Sequence, residues 1–189
     1  MSHTSGTIGA GLVRDEEFYI KSVIFQAERT LFRVPAYALP TEDGVFSAMF
    51  ALPNGNGEGS SEDNPIHLPH EVTAEDFRCF LKARIPMPDA TEPPKLTVHQ
   101  WMSVLKLATM WCLDGLRIKA IDAADKELPT LSGTTASDVY KVLLGQRHHV
   151  SRWLLEGYEA LGKRKEYLSA TERQQLGSET SLRISELRE

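Results

Sequence analysis

The apolar positions of the chain change period several times, and each change predicts an element. Between residues 15 and 50, DEEFYIKSVIFQAERTLFRVPAYALPTEDGVFSAMF, Val23, Phe25 and Ala27 alternate with Ile24, Gln26 and Glu28. Leu31-Phe32-Arg33-Val34 follows after only Arg29-Thr30. Two β-branched and aromatic runs this close together read as a hairpin. Pro35 ends the second run, because it has no N–H to donate to a ladder. Val45, Phe46, Met49 and Phe50, at i, i+1, i+4 and i+5, predict a short helix with one apolar side. A hairpin and a helix of this size are not stable alone, so the remaining chain must complete the core.

Residues 53–64, PNGNGEGSSEDN, carry no apolar side chain besides the proline and predict a solvated loop. Shortening such a loop costs about 0.6 kcal/mol per halving, so it is expected to be dispensable. Pro65-Ile66-His67-Leu68-Pro69 is a short strand, placed at a sheet edge by its flanking prolines. Thr73-Ala74-Glu75-Asp76 opens a helix whose inner face is Phe77, Phe80, Leu81 and Ile85, and Pro86 and Pro88 stop it. Val98, Trp101, Met102, Val104, Leu105, Leu107, Ala108, Met110, Trp111 and Cys112 leave only His99, Ser103 and Lys106 as a polar strip. A helix so apolar is expected at the centre of the core. Asp114-Gly115 is expected to break it, and Leu116, Ala120, Ile121, Ala124 and Leu128 line the next helix. After a joint at Pro129–Thr134, Thr135-Ala136-Ser137-Asp138 opens another helix. Val150, Trp153, Leu154, Gly157, Tyr158 and Leu161 then fall on one amphipathic stripe. Ser169-Ala170-Thr171-Glu172 is a further capping sequence, and Gly177–Leu182 leads into a last helix.

In order and spacing these elements resemble the BTB/POZ domain, in the form carried by many fungal proteins. Val23-Ile24-Phe25 with Leu31-Phe32-Arg33-Val34 is similar to the family's hairpin, and Val45-Phe46-Ser47-Ala48-Met49-Phe50 to the end of its first helix. Val104-Leu105-Lys106-Leu107-Ala108 with Leu113 is similar to its closing helical hairpin. The resemblance implies an α+β fold, a small sheet flanked by a cluster of helices. It implies a flexible arm at 1–14, a BTB/POZ-like domain at 15–130 and a helical C-terminal extension at 131–189. The family is an interaction module, so the expected function is self-association or recruitment of partner proteins without catalysis. The arm and first helix form the interface in dimeric members, which makes Ile8, Leu12, Val13, Phe46, Met49 and Phe50 the candidate partner-binding residues. A homodimer and a cullin scaffold of a ubiquitin ligase are the partners the family offers.

The chain departs from the family at three places. Ser22-Val23 stands where Asp-Val is usual, and that acidic residue helps to line the dimer-centre pocket in many members. Val34-Pro35-Ala36 stands where Ala-His-Arg is usual. The hydrophobic-x-Glu motif of cullin-binding members is absent: Asn56 precedes Glu58 and Ser60 precedes Glu62.

Composition narrows the chemistry. The 189 residues hold one domain with an appendage, or two small ones, and 41% are hydrophobic and 25% charged. A net charge of −5 argues against a nucleic-acid partner, which needs a basic face. No apolar run is long enough to span a membrane and the N-terminus does not read as a secretory signal, so a cytoplasmic or nuclear location is expected. Cys79 and Cys112 sit among apolar residues of predicted helices and are expected to be buried, reduced and unpaired. His67 and His70 have H-x-x-H spacing beside Glu71, but on a strand they do not share a face, and surface histidines are expected. His148-His149 is expected to be a solvated helix start, and Ser60-Ser61 a solvated acidic loop. No P-loop, G-x-S-x-G or G-x-G-x-x-G motif occurs, and no metal or cofactor is expected. The aromatics Phe18, Tyr19, Phe25, Phe32, Phe46 and Phe50 are expected to be mostly core, with some at an interface, since both roles want large apolar area.

Overall fold

The computed structural model describes residues 13–39, 57–85, 95–128 and 134–188. The fold is α+β: among the described residues there are three strands in one sheet and six α-helices. The chain forms two compact units, Met1–Pro88 and Asp89–Glu189.

The first unit is built on the hairpin. Strand β1 (Ser22–Ala27) pairs antiparallel with β2 (Thr30–Pro35), in the register Val23↔Val34 and Phe25↔Phe32. Strand β3 (Ile66–His67) pairs parallel with β1, giving the order β2-β1-β3 and placing β3 at an edge as its prolines require. Central β1 is covered on both faces, so Ile24, Phe25 and Ala27 are all buried and strict alternation is lost. Helix α1 (Ala74–Arg84) begins with a full capping box: Thr73 Oγ1 accepts from Asp76 N–H, and the Asp76 carboxylate accepts from Thr73 N–H. Its Phe77 ring lies 5.3 Å from Phe25, 5.0 Å edge-on from Phe32 and 5.9 Å from Phe80. Phe77 and Phe80 are buried as expected, while Leu81 and Ile85 are only half-buried.

The hairpin turn is Glu28-Arg29, and Glu28 has φ of 54°. A non-glycine residue tolerates this left-handed region only with compensation. Here the Glu28 carboxylate reaches α1 and accepts from Ala74 N–H at 3.0 Å, holding the positive end of the helix.

The stretch 57–64 differs from the solvated loop expected of its composition. Gly59 is buried; its carbonyl accepts from Ile24 N–H at 2.8 Å and its N–H donates to the Asn64 carbonyl at 2.7 Å. It has φ of 78°, and a Cβ there would lie 2.9 Å from both Val23 Cγ1 and Ile66 Cδ1. Polar composition predicts hydration of side chains, but this backbone is bonded to β1, so the segment packs on the sheet. Residues 53–56, the rest of that loop, and the helix expected around Val45–Phe50 lie outside the described residues.

The second unit is helical. Helix α2 (Val98–Met110) opens with a Thr97–Gln100 capping box and buries Trp101, Met102, Val104, Leu105, Leu107 and Ala108. It ends earlier than expected: Trp111 caps it and Cys112 turns the chain at φ of 55°. Leu113 N–H returns to the Ala108 carbonyl at 2.8 Å. Asp114 therefore starts helix α3 (Asp114–Glu127) and does not break α2. This corrects two expectations. Cys112 is exposed, because a residue at the turn leaves the buried face, and Met110 is also exposed; Cys79 and Trp111 are buried as expected. Helix α4 (Thr134–His148) and helix α5 (Ser151–Lys163) form the next antiparallel pair. Helix α6 (Ala170–Glu186) is kinked at Gly177, whose φ is 79°, and packs on both. Val139, Val142, Leu161, Leu168, Leu176 and Ile184 form one core here.

Candidate partner-binding surface

Among the described residues of the first unit, the exposed large apolar side chains are Val13, Phe18, Tyr19, Ile20, Leu31 and Tyr37. All of Val13–Ser22 is exposed. Phe18 is 76% exposed, Tyr19 53% and Ile20 57%. Apolar side chains scattered singly need no explanation, but three in a row on an ordered segment do. The segment is held from both ends. Asp15 Oδ1 accepts from the N–H groups of Glu17 and Phe18 at 3.0 and 2.6 Å, and the Asp15 carbonyl accepts from Tyr19 N–H at 3.3 Å. This is an aspartate-capped turn of the kind that short acceptor side chains stabilise. At its other end the Lys21 carbonyl accepts from Ala36 N–H at 2.8 Å, extending the hairpin ladder by one bond. That bond brings the short 3-10 turn Ala36–Ala38 alongside, with Tyr37 70% exposed. Arg84 Nε donates to the Ala38 carbonyl at 3.0 Å and fixes this turn to the end of α1.

The segment carries charges of both signs, with Arg14 and Lys21 on either side of Asp15, Glu16 and Glu17. Asp15, Glu16 and Glu17 precede the apolar run, and none of the ion pairs found among the described residues involves them. The Arg14 guanidinium lies 4.7 Å from the Tyr19 ring centre, a cation–π contact that keeps the ring turned along the segment. Further along, β2 has no strand on its outer side among the described residues. Ile24 and Gln26 of β1 turn their backbone bonds away from β2, to Gly59 and Leu68. By the register their partners Arg33 and Leu31 turn theirs outward, as antiparallel alternation requires. Arg33 pairs with Glu62 at 2.9 Å, an exposed pair of small energetic weight.

Of the residues expected at an interface, Val13 is described and is 84% exposed. Ile8, Leu12, Phe46, Met49 and Phe50 lie outside the described residues. Phe18 and Tyr19, from an aromatic set expected to be mostly core with some at an interface, are on the surface, and Ile20 and Tyr37 were not singled out by sequence. No local signal marks them: Glu75-Asp76 likewise stand directly before Phe77, which is fully buried.

The titratable groups elsewhere have structural surroundings. Burial pushes the Cys79 thiol up to about 11, and the neighbouring Glu75 carboxylate adds to the shift, which removes it from nucleophilic duty at neutral pH. His67 and His70 are exposed. His148, by contrast, ends α4 and is half-buried; desolvation lowers it to about 4, with Arg147 and Arg117 adding to the effect. The expected solvated helix start holds only for exposed His149. Arg117 donates to the carbonyls of both His148 and His149 and ties that corner to α3. Among the described residues no group of three or more His, Cys, Asp or Glu side chains is placed to hold a metal ion, and no helix is long and apolar enough to cross a membrane. No family model, curated protein or solved structure matches this chain.

Proposed function

We propose that the chain is a non-enzymatic protein–protein interaction module of the BTB/POZ type, which works by associating with itself or with partner proteins. The observation that carries the reading is the exposed run Phe18-Tyr19-Ile20, held in a fixed turn beside the hairpin. A large apolar area kept on the surface of an otherwise well-buried fold is a cost that an interface removes. The surface lies on the same N-terminal part of the chain through which BTB/POZ proteins associate. The absence of the hydrophobic-x-Glu motif at Glu58 and Glu62 places second the cullin-adaptor reading, for which the helical C-terminal extension would supply further cullin-contacting helices.

The test is the mass of the purified full chain by light scattering, together with pull-down from cell extract, each with and without residues 1–14. A self-assembled species, or a stoichiometric partner, is expected. A strict monomer that captures nothing overturns the reading.

A further inference from the structure

We draw no further inference here: the strongest candidate, the outer edge of β2, where Leu31 and Arg33 turn their backbone groups away from β1, carries nothing because nothing in the structure shows what covers it.

Discussion

Glu28 is the residue where local strain and long-range bonding meet. Its φ of 54° is costly for an L-residue, and its carboxylate holds Ala74 N–H at the start of α1. Glu28→Ala keeps the strain and loses the bond, so it should destabilise by about 1 kcal/mol, the worth of a helix-capping interaction. Glu28→Gly loses the same bond but removes the strain, which is about 1–2 kcal/mol for a left-handed residue. Denaturant midpoints should therefore rank the glycine variant above the alanine variant. The reverse order would mean that the turn relaxes out of the left-handed region. Gly59 is the converse case, since any side chain meets Val23 and Ile66. Gly59→Ala should cost about 1–3 kcal/mol through overpacking and strain, read from thermal unfolding. No measurable change would detach the 57–64 segment from the sheet.

Two elements of the helical unit are held by groups that titrate, and their signs agree. Glu172 accepts both Arg164 Nη groups, at 2.8 and 3.1 Å, and also Ser169 N–H, which closes the turn between α5 and α6. The Arg164 guanidinium, with help from Ser169, lowers the Glu172 carboxyl to about 2. Its contribution to stability is present above 4.5, the ordinary value, and is lost as pH falls through about 2. His148 is lowered to about 4 from 6.5, so the unfolded chain takes up this proton first and stability falls as pH drops from 6.5 toward 4. Urea midpoints at a series of pH values should decline in both windows. His148→Gln should flatten the upper window and Glu172→Gln the lower one. Parallel curves for variant and native protein would show that these groups are not the titrating ones. The α4–α5 pair has a steric device instead. A Cβ on Gly157 would lie 2.5 Å from Val142 Cγ2 and 3.2 Å from the Asp138 carbonyl. Gly157→Ala should push the helices apart and cost about 1–3 kcal/mol.

For the whole molecule, the division at Pro88/Asp89 makes a fragment experiment informative. All three tryptophans, Trp101, Trp111 and Trp153, belong to Asp89–Glu189, and all three are buried. Trp153 Nε1 also donates to Asp125 Oδ1 at 2.6 Å, an α5–α3 bond inside that unit. The fragment 89–189 is expected to unfold cooperatively with the blue-shifted emission of the full chain. Emission typical of solvated indole would mean that the second unit does not fold by itself. Trp111→Ala should cost about 3–5 kcal/mol, the usual range for a large buried aromatic.

The sequence by itself determined the elements whose signals are local. The hairpin, the Thr73 and Ser169 caps, the α5 stripe and the edge position of β3 follow from side-chain periodicity, from proline's missing donor and from hydroxyl acceptors three residues ahead of an N–H. The tertiary structure decided everything that depends on partners distant in sequence. Glycine-bearing 57–64 packs on the sheet because the Gly59 carbonyl accepts from Ile24 N–H. Cys112 left the core because the Leu113–Ala108 bond closed α2 before it. His148 is half-buried at the end of α4, where Arg117 of another helix bonds its carbonyl. Phe18 and Tyr19 stayed outside because Asp15 holds their turn at the surface, and an aromatic residue carries the same composition signal in a core as on an interface.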